Sequence, residues 1–360
     1  MSTGLRIEQR SSCGNSEAFD DTFANLPKHI NENEKRTKSA SSAELWKQLL
    51  RYGQARKCDF WLAYDVNTGN AVARIGADLP HQRSWDASIG FFECTDDADG
   101  KHAGAELIRC AQEWLKAHAA KNVYGPMDFN SWFSYRFKLR EAGQSAEADK
   151  AWEPSAPDFY RKIFLDEGFT DDLQFASLSY EVPSKAHWQA YMQTLRAEHD
   201  AVTSQHGYSI RPFHSGSELL QDLRRIFELS NIAFADNPMF EVIPFEIFSA
   251  MTIAMARSTN IGPSRIVLSP AGDAVGFAFC FVDNGELVYK TVAVHPEHRS
   301  IGIANSLTYE ISAYCVEHSL LKTTGALIRS GNTSEKIGRR HGNFAQPTKI
   351  NQYSLLRKAL

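Results

Sequence analysis

A chain of 360 residues with a formal charge of -4 has room for two average domains and lacks the basic excess of a nucleic-acid or acidic-membrane binder. Six cysteines (Cys13, Cys58, Cys94, Cys110, Cys280, Cys315) form no CxxC pair and no compact framework, which argues for reduced thiols in a cytoplasmic protein, without a metal. The polar N-terminus does not read as a secretory signal, and no apolar run is long enough to span a bilayer.

Residues 1–45 are rich in Ser, Asn, Lys and Glu, and "NENEKRTKSASS" reads as solvated chain. Ser42 then caps a predicted helix, "AELWKQLLRYG", that stops near Gly53. "FWLAYDV", "NTGN" and "AVARIGA" make a hairpin, and "DASIGFFEC" a further strand. In "AGAELIRCAQEWLKAHAA" the spacing puts Leu107, Cys110, Ala111, Trp114 and Leu115 on one helical face, and the short strand "NVYGPMDF" follows. "NSWFSYRF", Asn130 to Phe137, packs its aromatics so densely that it reads first as core, with a pocket lining as the alternative.

The second half repeats the order. "SELLQDLRRIFELSNIAFA" and "PFEIFSAMTIAMA" are helical, and "RIVLS", "AVGFAFCFVD" and "ELVYKTVAV" are successive antiparallel strands. "IANSLTYEISAYCVEH" is a helix, "TTGALIR" a strand and "QYSLLRKAL" a last strand. Lys101–Ala105 can be laid over Arg299–Ile303, each ahead of a strand with a glycine, Gly125 or Gly325. That order implies an internal duplication. The expected division is a polar segment 1–45, a first domain 46–183, a helical linker 184–206 and a second domain 207–360.

The most specific stretch is Val294-x-Pro296-Glu297-x-Arg299-x-x-Gly302-x-Ala304, set between a strand and a helix. Gly302 allows close approach to the turn, Ala304 keeps the helix start clear, and free amides there suit a phosphate. This string resembles the cofactor signature of the GNAT superfamily of N-acyltransferases. The resemblance implies an α/β (α+β) fold with two tandem GNAT-like domains, each a mixed, mainly antiparallel sheet flanked by helices. It implies acetyl-CoA or another acyl-CoA as co-substrate, with the diphosphate on Arg299, Ser300, Ile301, Gly302, Ile303 and Ala304. The strand before the turn is expected to bulge and diverge from the next. Val292 and Val294 would then pair with the pantetheine arm, and the N–H of Val292 or Ala293 would polarise the thioester. Asn332 stands where the family often has an asparagine on that arm; as a cap or turn residue it needs no such role.

Two departures stand out. The family's leaving-group tyrosine is missing from "EKIGRRHGNFAQ", where Gly338 or a neighbour holds its place, so Tyr353 or Tyr289 would have to serve. The first half carries a similar string, "FYRKIFLDEGF", with Tyr160. There Glu106 replaces the small residue of the cofactor turn, and a carboxylate would repel a diphosphate, so the first half reads as a degenerate repeat. The plan resembles mycothiol-synthase-like tandem acyltransferases and other bacterial N-acyltransferases with "GFFE" and "GPM" in the first half.

The reaction implied is attack of a small-molecule amine on the thioester, with Glu286, Glu241 or Asp236 to take the proton. Each of these carboxylates also reads as ordinary solvated surface, as do His295 and His298. An acyl carrier protein is an alternative donor, and a non-catalytic CoA-binding scaffold an alternative role. No nucleic acid and no membrane is expected as a partner.

Overall fold

The computed structural model describes residues 4–11, 14, 16–33, 43–80, 87–140, 149–332, 335 and 346–360. The chain forms two compact units, Met1–Gln174 with Gln352–Leu360, and Phe175–Asn351. The expected boundaries, 46–183 and 207–360, treat each half as continuous, whereas the last strand of the chain belongs to the first unit.

The first unit runs β1 (Leu5–Ser11), α1 (Glu17–Asn33), α2 (Ala43–Gln54), β2 (Lys57–Asp65), β3 (Ala71–Leu79), β4 (Ala87–Cys94), α3 (Ala98–Ala117), β5 (Asn122–Gly125), β6 (Phe137–Leu139) and α4 (Asp158–Asp166), then enters β7 (Thr170–Glu181). β1 to β4 form an antiparallel meander, and β5 joins β4 in parallel. The polar reading of residues 1–45 is corrected here. β1 pairs with β2 along its whole length, and Phe19, Phe23, Leu26 and Ile30 of α1 are buried. Those residues recur at helical spacing, and average composition hides them among their charged neighbours. Ser42, the expected cap of α2, lies outside the described residues.

Phe23 meets Phe60 edge-on at 5.3 Å, and Phe91 meets Phe129 at 4.8 Å. Phe133 leans on Tyr52 and Phe129, and Phe137 is buried against Phe164. The aromatic stretch 130–137 thus contributes to core.

The second unit takes the rest of β7, then α5 (Lys185–Asp200), β8 (Ser209–Pro212), α6 (Leu219–Ala233), α7 (Phe245–Ser258), β9 (Arg265–Leu268), β10 (Ala274–Asp283), β11 (Glu286–Val294), α8 (Ile303–His318), β12 (Lys322–Arg329) and the start of β13 (Lys349–Ala359). Its strand order is β7-β12-β11-β10-β9-β8, parallel only between β11 and β12. α5 and α8 cover one face, where Trp188, Tyr191 and Leu195 meet Leu287, Leu307 and Ile311. The expected linker 184–206 is therefore a core helix of this unit, followed by a π turn at 201–205. Phe277, Phe279 and Phe281 alternate with Ala278 and Cys280 along β10, so they face the other side, under α6.

From Gln352 onward β13 sits in the first unit, with Leu356 opposite Gly125 and Ser354 opposite Phe137. Leu355 and Leu356 are fully buried there. The last nine residues alternate like any strand, and which sheet edge they complete depends on distant partners.

Candidate functional site

β11 and β12 pair in parallel from Glu286 opposite Lys322 to Tyr289 opposite Gly325, and the ladder ends there. β11 runs on to Val294 against β10, but its register slips by one residue at Lys290. That bulge bends the strand. β12 has its own shift between Gly325 and Ile328, where Leu327 has φ 57° and its N–H donates to Ser177 Oγ at 3.0 Å. Beyond those positions β11 continues against β10 and β12 against β7, so the end of their shared ladder is the candidate cleft.

The cleft has polar main chain along one wall. His295 N–H donates to Val275 O at 2.8 Å. Alternation along an antiparallel pair then turns the N–H and C=O of Val294 and Val292 to the side that β12 has left. The same alternation directs the Ala293 N–H to β10, which selects Val292 of the two expected donors.

At the end of β11 the chain passes through a short turn, Pro296–His298, and a loop in which Ser300 and Gly302 have φ 70° and 98°. Gly302 is the N-cap of α8 and has no side chain to cap the first amides. The helix start therefore offers N–H groups and the positive end of its dipole. Arg299 is exposed, and it donates from Nε to Val294 O and from Nη2 to Ala233 O, both at 3.3 Å. Its guanidinium thus ties the turn to the end of α6. Ile301 packs on the core, Ile303 is buried and Ala304 is half-buried.

The first unit has the same parts in a closed state. β4 also slips register beyond Gly90, and Phe91 has φ 55°. Its parallel ladder with β5 covers Ala87 and Ser88. There, however, the chain after β5 stays in place. Met127 N–H donates to Ile89 O at 2.8 Å, and Phe91 N–H to Asp128 Oδ1 at 2.5 Å. A Cβ on Gly90 would lie 2.1 Å from Met127 O, so the two backbones are in direct contact. Tyr160 donates to Glu93 Oε2 at 2.8 Å and accepts from Cys94 N–H at 2.9 Å.

The helix start is closed as well. α3 begins at Ala98, and Asp97 caps it by accepting from Gly100 N–H at 2.6 Å. The overlay of Lys101–Ala105 on Arg299–Ile303 is thus corrected: Asp97 is the counterpart of Gly302 as N-cap. Gly104 lies inside α3, where a Cβ would meet Phe92 at 2.9 Å. Between α3 and α4 lies a groove of about 490 Å³ lined by Lys101, His102, Arg109 and Lys162. Lys101 pairs with Asp96, Arg109 with Glu106 and Glu167, and Lys162 with Asp166.

The candidate catalytic residues lie on different elements. Glu286 is half-buried at the start of β11 and accepts a hydrogen bond from Thr324 Oγ1. Tyr289 faces the opposite side, on the core under α5 and α8. Burial of its hydroxyl, reinforced by Cys280, Cys315 and Tyr191, raises its pKa well above the usual tyrosine value. Glu241 is buried in the loop after α6, and Asp236 is exposed there. His295 accepts from Glu297 N–H, and His298 Nδ1 lies 2.9 Å from Tyr208 Oη.

Tyr353 lies in the first unit, buried, with its hydroxyl donated to Glu153. Its strand belongs to the first unit from Gln352 onward. Asn332 accepts from Glu335 N–H at 3.0 Å, as a turn cap does. The stretch without the tyrosine, with Gly338, lies outside the described residues from 336 to 345. Thr324 and Ser179 meet on the Glu286 side; Ser179 lies within the expected first domain, 46–183, and no local signal links it to Glu286.

Among the described residues no group of three His, Cys, Asp or Glu could hold a metal ion, and no helix is long and apolar enough to cross a membrane.

No family model matches the sequence, and no curated protein matches it either. Solved structures do match. A tandem GNAT protein from the clavulanic acid biosynthesis pathway aligns over 99% of this chain and 98% of its own, with TM-score 0.52 and 13% identity. A probable N-acyltransferase from Enterococcus faecalis V583 aligns over 99% and 73%, with TM-score 0.58 and 10% identity. A GCN5-related N-acetyltransferase from Kribbella flavida aligns over 100% and 72%, with TM-score 0.52 and 12% identity. At such identities the likeness is one of fold.

Proposed function

Because the chain has the tandem GNAT fold, we propose that it is an N-acyltransferase moving an acyl group, in the simplest case acetyl, from acyl-CoA to the amine of a small molecule. One observation carries the reading: the β11–β12 ladder stops at Tyr289 and Gly325, and the same β11 ends at a helix start with no side-chain cap. A cleft of main-chain donors and acceptors leads to an anion site, which suits a pantetheine arm with a diphosphate at its end.

In this reading the amides of Ser300 to Ala304 hold the diphosphate, and Arg299 adds charge at its edge. Val294 and Val292 pair with the arm through their outward main chain. The Val292 N–H points at the thioester oxygen and stabilises the negative charge that builds there. The amine nitrogen attacks the carbonyl carbon, a C–N bond forms and the C–S bond breaks. Glu286, on the α6 side of β11 and six residues before Val292, takes the proton that the amine loses through a chain of waters. The thiolate leaves and takes a proton from solvent. Tyr289 contributes no proton, since it faces the core on the other side of the strand.

Isothermal titration with acetyl-CoA, then a free-thiol assay over a panel of amines, tests the reading. Binding followed by thiol release with at least one amine supports it, and absence of binding overturns it. Binding without release on any amine favours a scaffold. Turnover with an acylated carrier protein but not with acyl-CoA would move the donor to the carrier.

A further inference from the structure

Glu286 is held by residues from two other strands. Thr324 of β12, 1% exposed, gives its hydroxyl proton to Glu286 Oε1. Ser179 Oγ of β7 lies 2.6 Å from Thr324 Oγ1. Since the proton of Thr324 is committed to the carboxylate, Ser179 is the donor of that second bond. Ser179 is fixed in turn, because its carbonyl accepts from Thr348 N–H at 2.8 Å. The protons of β7 and β12 therefore all run one way, from Ser179 to Thr324 to Glu286, and such a chain strengthens each bond in it.

We infer that Thr324, backed by Ser179, is the positioning residue that fixes Glu286 for the amine proton. The inference rests on Glu286 being the base proposed above. A glutamate at the start of a strand has rotatable bonds to restrict, and Glu286, six residues before Val292, collects the proton through waters that a fixed carboxylate must anchor. Thr324 stands one residue before Gly325, where the ladder ends. It thus anchors the carboxylate at the closed end of the cleft, and Oε1 is the atom it holds. Neither hydroxyl touches the acyl donor in this arrangement, so both act on kcat through Glu286.

The test uses the full chain, with acetyl-CoA and the best amine of the panel. Glu286→Gln is expected to lower kcat about 100-fold or more. Thr324→Val, which keeps the shape and removes the hydroxyl, is expected to lower kcat about tenfold with KM for acetyl-CoA unchanged within about twofold. Thr324→Ser restores most of the loss, and Ser179→Ala costs about threefold. If Glu286→Gln turns over normally, the base assignment fails and this inference with it. If Glu286→Gln is dead while Thr324→Val is as active as the parent, or is impaired but not rescued by serine, only the positioning role is overturned.

Discussion

The absent side chain of Gly302 points at Glu198 of α5: a Cβ built there would lie 3.4 Å from Glu198 Cβ and 3.3 Å from Val202 Cγ2. Glu198 also accepts from Asn305 Nδ2 at 2.5 Å, so α5 is tied to the first turn of α8 beside the anion site. With φ 98° the position is strained for any other residue. Gly302→Ala is expected to cost about 1–2 kcal/mol, read as a lower unfolding midpoint in urea. Loss of acetyl-CoA binding in a Gly302 variant therefore has to be judged against this change in fold.

Arg299 offers the cleaner test of the anion site, because its side chain is exposed. Arg299→Glu is expected to weaken acetyl-CoA binding by about 10- to 100-fold, the worth of a charge-assisted contact. Lys101→Glu in the first unit should leave affinity unchanged. Calorimetry on the two variants decides.

The first unit fills its own cleft with Met127 and Asp128 and caps its own helix with Asp97. Acetyl-CoA titration is therefore expected to saturate at one molecule per chain. Gly90→Ala, which drives a Cβ into Met127 O, should destabilise the first unit by about 3 kcal/mol without changing that stoichiometry. Two equal sites in calorimetry would contradict the closed state.

Removal of residues 352–360 takes Tyr353, Leu355 and Leu356, all fully buried, out of the first unit. At about 1.5–3 kcal/mol per large apolar side chain, the loss rivals the stability of a typical domain. Hydrogen exchange on the truncated chain should show lost protection in β5 and β6, while β10 and β11 keep theirs.

Asp222, fully buried at the start of α6, accepts two bonds from Arg211 and one from His214 N–H. Burial alone would raise its pKa, but the Arg211 and His214 bonds and the arginine charge outweigh it and hold it below 3.8. A lowered folded-state value means stability that is present above pH 3.8 and lost as pH falls through the folded value. Asp222→Asn is expected to cost about 1–3 kcal/mol at neutral pH and to flatten the acid limb of a midpoint-against-pH curve.

The parts of the fold that were legible in the sequence are those written in near-neighbour pattern. β10, β11 and α8 begin and end where period and turn residues place them. The register shift in β11, expected from the family resemblance without a position, falls at Lys290, and the glycine of the motif has φ 98°. α1 escaped notice because Phe19, Phe23, Leu26 and Ile30 speak only through their spacing, inside a stretch of polar average.

Order along the chain was enough to determine that a strand, a glycine turn and a helix meet at residues 294–304, because that junction is built from consecutive residues. Tertiary structure alone decided that Tyr353 is buried in the first unit, that Ser179 stands behind Glu286, and that Met127 and Asp128 close onto β4 whereas the β11–β12 ladder ends at Gly325. Each of these depends on which sheet edge a strand completes. Edge choice follows from surface buried against residues far away in sequence, and local periodicity does not encode it.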